Sequence, residues 1–322
     1  MHKTPTQESL HPLYHDLSGE LERAQADYWA SLEPLKPLIA DRPEAEKTLS
    51  LATVRSPASF VVFALPYWLG RAFGVELALQ RQVGVCSLYV LRAILNLDDI
   101  ADQDADPASL PLSVAASTLM YSEMLGRYHR LFPPDSIFWE RARVYFGEWV
   151  RSMAWERQSA DDWQRSLDLD AAAGKAAPFK YGCAAIALLG GVAERLPEIE
   201  RGVDLMHGLL ILIDDAFDWM KDVPAGRANT FIAGLVADGL VDEGSLADQE
   251  AVLKVIFTTD GVDRHYRRIR SAADQTLEVI ARLNVPEWAG LVEWTVDKAE
   301  EERERFLSTL MEPVGWLARL LA

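Results

Sequence analysis

Two long apolar segments of this chain each run straight into a cluster of aspartates. The first is SLYVLRAILNLDDIADQDAD, residues 87–106, and the second is GLLILIDDAFDWMKD, residues 208–222. Both contain D-D-x-x-D, as Asp98, Asp99 and Asp102 and as Asp214, Asp215 and Asp218. The first and third aspartates are i and i+4, so they share a helix face, and Asp222 adds a further turn to that face. Segments apolar nearly all round belong in the middle of a large helical bundle. Carboxylates seldom sit beside such a face unless something neutralises them. Like charges at this spacing repel, more strongly when desolvated. One cluster alone reads as a solvated helix end as readily as a site. Two, each continuing an apolar stripe, point to a bound cation.

Helical periodicity recurs along the chain, with breaks at Pro and Gly and few strand signals. It predicts helices over 9–35, 57–73, 76–103, 111–132 and 136–158, with a stop at Pro133-Pro134. Helical segments follow over 168–191 and 198–222, and about 242–320 reads as three more. Within 168–191, Gly174, Pro178 and Gly182 are expected to break or kink the helix. The expected architecture is all-α, one domain over 1–322, with long antiparallel helices.

Composition narrows the function. With 49% hydrophobic and 25% charged residues the chain is globular rather than disordered. A formal net charge of -17 argues against nonspecific nucleic-acid binding and against docking on anionic lipid. An anionic small substrate stays possible if metal ions mediate its contact. Cys86 and Cys183 lie in apolar runs without partners at ligand spacing, as buried thiols in a reducing compartment would. The N-terminus lacks a hydrophobic signal core. No apolar run reaches the ~20 residues that span a bilayer, and Pro66 interrupts the nearest, 58–70. These features suggest a soluble cytoplasmic protein. Nucleophile-elbow, phosphate-loop and dinucleotide motifs are absent from the sequence.

The metal can be narrowed too. A calcium loop starting at Asp102 needs Gly where Pro107 stands and Glu where Ser113 stands. Zinc would want His or Cys nearby. Carboxylates alone on helices suit Mg²⁺, which keeps several waters and bridges to substrate phosphates. Asp104 and Asp106, ahead of Pro107, read as loop charges.

A diphosphate also needs cationic donors. GKAAPFKYG, residues 174–182, carries Lys175 and Lys180 into an apolar stretch, where a lysine needs an anionic partner unless it snorkels to the surface. Lys221 and Arg227 follow the second cluster and either close over a phosphate or stay solvated. Phe146, Trp149 and Phe217 are core residues or line an apolar pocket whose π-faces stabilise a cation. His207 stands two turns before Asp214 on about the same face, as a core or a pocket residue.

On these residues the chain resembles the class I isoprenoid synthase superfamily of trans-prenyltransferases, head-to-head synthases and class I terpene cyclases. The likeness covers about 76–235 and rests on DDIAD (98–102), GKAAPF (174–179) and IDDAFDWMKDVPAGR (213–227). The middle segment looks like the prenyltransferase lysine motif with Ala where Thr is usual. The last looks like its second aspartate motif, including Asp222, with Gly-Arg where Gly-Lys is common. The resemblance implies a helical bundle around a central cavity and Mg²⁺ ions, usually three, held by Asp98, Asp99, Asp102, Asp214, Asp215, Asp218 and Asp222. It implies an allylic prenyl diphosphate, gripped by Lys175, Lys221 and Arg227, whose departure leaves a carbocation. Lys180, His207, Phe146, Trp149 and Phe217 are the candidate substrate-binding residues, and a homodimer is compatible with this reading.

Departures from the family pattern matter as well. Chain-elongating synthases carry an early Gly-Gly-Lys-x-x-Arg-Pro segment; here 46–60 reads EKTLSLATVRSPASF, with only Lys47 and Arg55. Their Arg-Arg-Gly after the first cluster is replaced by ADPASLPLS. Bacterial cyclases usually carry an Asn-Asp…Ser…Glu pattern at the second cluster, which is absent here. The expectation is ionisation of an allylic diphosphate followed by transfer to an unusual acceptor. A cyclase, or a noncatalytic partner subunit on the same fold, is the alternative.

Overall fold

The computed structural model describes residues 17–33, 51, 57–101, 105–159, 165–246 and 248–320. Among them every regular element is helical. The chain divides into two compact units, one built from residues 1–152, 174–204 and 282–287, the other from 153–173, 205–281 and 288–322.

In the first unit the elements are α1 (Ser18–Ser31), α2 (Pro57–Ala72), α3 (Leu77–Ala101), α4 (Leu110–Leu131) and the start of α5 (Ile137–Ser159). Its middle is α3, in which every residue from Val83 to Ile94 is buried. That is why the segment is apolar all round: α1, α2 and α4 each pack against it. Tyr128 of α4 anchors a ring cluster with Phe132, Phe138 and Tyr181.

The stretch expected to be interrupted over 168–191 is interrupted. A short α6 (Leu169–Ala173), a 3-10 segment (Gly174–Phe179) and α7 (Lys180–Leu189) replace one continuous helix. Gly182, expected to be a break, lies instead inside α7. A Cβ there would come within 2.8 Å of Pro66 Cγ and of Ser87 Oγ, so the glycine lets α7 press on α2 and α3. Pro66, likewise, sits inside α2 without ending it. Cys86 and Cys183 are both buried, and burial pushes each thiol up to about 12, so neither is a ready nucleophile.

α8 (Leu196–Asp222) begins in the first unit and contributes its acidic half to the second. There it is followed by α9 (Thr230–Ala237), α10 (Gln249–Thr258), α11 (Gly261–Ala281) and α12 (Pro286–Leu320). The last three are the expected C-terminal helices; α9 has no counterpart in the sequence reading. Tyr266 of α11 donates to Ala299 O of α12 at 3.0 Å. No described helix is long and apolar enough to cross a membrane.

Candidate functional site

The first acidic cluster ends α3. Asp98 and Asp99 are half-buried there, and Asp102 lies outside the described residues. Lys175 Nζ stands 3.7 Å from Asp98 Oδ1. Its approach depends on Gly174, where a Cβ would fall 2.9 Å from Ser152 Cβ and 3.1 Å from Glu148 O. The missing side chain lets the 3-10 segment lie against α5, which carries the next residue to the carboxylate.

Arg92, which the sequence reading passed over, supports the same cluster. Its guanidinium is buried, donates from Nε to Asn96 Oδ1 at 2.9 Å, and reaches within 3.9 Å of Asp99 Oδ2. Burial works against that charge, while Tyr28 and Asp99 favour it. An arginine inside LYVLRAIL was the available signal, since a buried cation needs an anionic partner.

Lys180 is placed differently from Lys175. Its side chain is 4% exposed and lies 2.6 Å from Asp204 Oδ1 and 3.0 Å from Glu148 Oε2. Two carboxylates from α8 and α5 thus consume its charge within the first unit. Burial raises the Asp204 carboxyl, and Lys180 holds it back. Trp149 is buried, whereas Phe146 is exposed and packs on Tyr121 and Trp149 with ring centroids 5.6 Å away in each case.

The second cluster occupies the last turns of α8. Asp215 Oδ2 accepts from the Thr230 backbone N–H at 2.6 Å. Asn229 Nδ2 donates to Asp215 O and to Asp222 Oδ2, each at 3.0 Å. Asp214 and Asp218 accept no hydrogen bond from the described residues. The connecting turn closes through Arg227 N to Asp222 O at 2.9 Å, with Gly226 at φ 66°. Arg227 and Lys221 both favour the charged form of Asp222, whose carboxyl burial raises and Asn229 lowers. His207 and Phe217 are half-buried on the same helix.

These aspartates are electrostatically unsettled. Burial pushes Asp215 up to about 7, against its hydrogen bond from Thr230, and Asp222 and Asp214 add repulsion. Asp214 is pushed up to about 6 by the surrounding protein and then by Asp218 and Asp222. Its side chain is exposed, so solvent screens part of that rise, and the Asp215 shift weighs more. Among the described residues no three His, Cys, Asp or Glu side chains converge on one point. Asp214 and Asp218, one turn apart on α8, accept no hydrogen bond from the described residues and could hold a divalent cation.

The fold is shared with solved decaprenyl diphosphate and polyprenyl synthases. A decaprenyl diphosphate synthase from Rhodobacter capsulatus is 16% identical with a TM-score of 0.64, over 89% of this chain and 98% of that one. A polyprenyl synthase from Roseobacter denitrificans is 13% identical with a TM-score of 0.65, over 91% and 100%. A Caulobacter crescentus polyprenyl synthase, solved with calcium and isoprenyl diphosphate, is 14% identical with a TM-score of 0.60, over 93% and 98%. No family model and no curated protein matches the sequence. The chain thus has the isoprenoid synthase fold, as its two aspartate motifs lead one to expect.

Proposed function

We propose that this chain is a divalent-metal-dependent enzyme that ionises an allylic prenyl diphosphate and transfers the prenyl group to an acceptor other than isopentenyl diphosphate. The observation that carries this reading is Lys175 seated beside Asp98 at the acidic end of α3. A cation beside a carboxylate, on a fold whose solved members include a decaprenyl diphosphate synthase and a polyprenyl synthase, suits a diphosphate held through metal and ammonium together.

In the reaction the allylic C–O bond breaks heterolytically and its electron pair leaves on the diphosphate. The acceptor supplies the electron pair of the new bond to carbon, and a proton leaves the product cation. Bound Mg²⁺ would supply Lewis-acid stabilisation of the charge growing on the leaving oxygens. Asp98, Asp99, Asp102, Asp214 and Asp218 are the residues proposed to hold it, with Asp215 and Asp222 framing the second set. Lys175, Lys221 and Arg227 would add fixed positive charge, which is electrostatic catalysis. Lys180 drops out of the substrate-binding set because its charge is already met by Glu148 and Asp204. The acceptor is taken to be unusual because the sequence lacks the Arg-Arg-Gly that follows the first cluster in chain-elongating synthases.

The test is a substrate panel. Geranyl, farnesyl and geranylgeranyl diphosphates are incubated with Mg²⁺ and no acceptor. Hydrolysis to the acyclic prenyl alcohol or no turnover is the outcome expected of a transferase, whereas cyclic hydrocarbons or cyclic terpene alcohols would convert the assignment to a cyclase. With acceptors added, diphosphate release that Asp98→Ala and Asp214→Ala each abolish supports catalysis. Release from no allylic substrate under any condition would leave the noncatalytic subunit.

A further inference from the structure

Asn229 is 0% exposed and uses both ends of its amide. Oδ1 accepts from Ile232 N at 3.1 Å, which caps α9. Nδ2 donates to Asp215 O and to Asp222 Oδ2, each at 3.0 Å. The amide orientation follows from the network: flipped, it would set an acceptor against two acceptors and a donor against a donor. Asp215 and Asp222 are i and i+7, two turns apart on one face of α8. One side chain therefore pins a backbone carbonyl and a carboxylate across the whole acidic end. The next residue completes the brace, because Thr230 N–H holds Asp215 Oδ2 at 2.6 Å.

Capping alone does not explain the choice of residue. Asp, Ser and Thr cap helices about as well as Asn. Asp has no donor, and a Ser or Thr hydroxyl has one. Only Asn caps with its oxygen while its nitrogen donates twice. The consequence falls on Asp214 and Asp218. With Asp215 and Asp222 tied back, these two are the carboxylates of the cluster that accept no hydrogen bond from the described residues.

We propose that Asn229 is a positioning residue: it fixes the acidic end of α8, Asp222 directly and Asp215 through its carbonyl and through Thr230, so that Asp214 and Asp218 present a preset pair of oxygens to a divalent cation. This rests on the proposed metal-binding role of that cluster. It adds a residue outside the aspartate motifs to the machinery that role needs.

The experiment compares Asn229→Ser, Asn229→Asp and the exchanged pair Asp222→Asn with Asn229→Asp in the full chain. All three keep an acceptor for Ile232 N. The first readout is amide hydrogen exchange over residues 213–232 without metal. The second is calorimetric binding of Mg²⁺ with inorganic diphosphate. Asn229→Ser should raise exchange at the α8 end and weaken binding ~10-fold, the scale of losing a partner that orients a metal ligand. Asn229→Asp should do more, because it sets a second carboxylate against Asp222. The exchanged pair restores one hydrogen bond in reverse and should recover protection.

Unchanged exchange and binding in Asn229→Ser would reduce Asn229 to a helix cap and overturn the proposal. So would an exchanged pair no better protected than Asn229→Asp alone. If Asn229→Ser does not fold, the exchanged pair against Asn229→Asp decides. If wild-type protein releases no diphosphate from any allylic substrate, the proposed function fails, and the exchange readout still judges Asn229.

Discussion

Lys175 Nζ and Asp98 Oδ1 stand 3.7 Å apart, too far for a direct hydrogen bond and close enough for mutual charge stabilisation. The ammonium stands at the acidic end of α3. In the proposed reaction it meets the leaving diphosphate, so Lys175→Gln should lower kcat/KM for an allylic diphosphate about 100-fold, the cost of removing one fixed charge-stabilising donor. Lys175→Arg should recover part of that. The assay is diphosphate release at saturating Mg²⁺. A Lys175→Gln enzyme with parental kinetics would take this lysine out of the mechanism.

Lys180 is expected to behave as a structural cation. Lys180→Met removes the charge that Glu148 and Asp204 share and leaves two half-buried carboxylates beside each other. Stranding a buried partner costs ~3–5 kcal/mol; Glu148 and Asp204 remain partly exposed, at 30% and 23%, so the lower end applies. Urea unfolding with and without added Asp204→Asn measures it. The second change should recover much of the loss, since it removes one stranded charge. Additive losses would show that the pair is not coupled.

Much of this was legible from the residues. Asp214 to Asp222 lie in one helix, as their spacing required, and Lys175 found the anion that an apolar surrounding demanded. Other features were not legible, for physical reasons. TFIAGLVA, which forms α9, is a threonine followed by seven apolar residues, and periodicity cannot tell such a run from a buried strand. Arg92 meets Asp99 two turns along its own helix, while Asn229 meets Asp222 across a turn, and no spacing rule announces a tertiary pair. Gly182 was misread because a glycine missing its Cβ for packing looks, in sequence, like a glycine needed for a break.

That glycine gives a direct test of the packing argument. Gly182→Ala places a methyl 2.8 Å from both Pro66 Cγ and Ser87 Oγ. Pro66 is rigid, so the helices must part, at a cost of ~1–3 kcal/mol despite the better helix propensity of Ala. A lowered urea midpoint with an unchanged slope is the expected signature. A more stable Gly182→Ala protein would mean that α7 yields without strain.

The pH dependence of stability should divide between His265 and Asp215, with opposite signs. Burial pushes His265 down to about 4, Leu212 O opposing and Arg268 reinforcing. Its Nε2–H donates to Leu212 O at 2.7 Å, and the ring lies edge-on to Phe231. An unfolded histidine titrates near ~6.5, so between those values the unfolded chain holds more protons. The stability His265 contributes is therefore complete above that window and is lost as pH falls through it. Asp215 runs the other way. Its folded value of about 7 lies above the ordinary 3.8, so without metal the folded state holds the extra proton, and stability falls as pH rises across that span. His265→Gln keeps a donor for Leu212 O without the titration, and should flatten the acid side of the melting-temperature profile. Asp215→Asn should flatten the neutral side of the metal-free profile. Because a cation needs the ionised carboxylates, Mg²⁺ with diphosphate should raise the wild-type melting temperature more at about pH 8 than at about pH 6. The same increment at both values would mean that the α8 carboxylates do not take part in the binding.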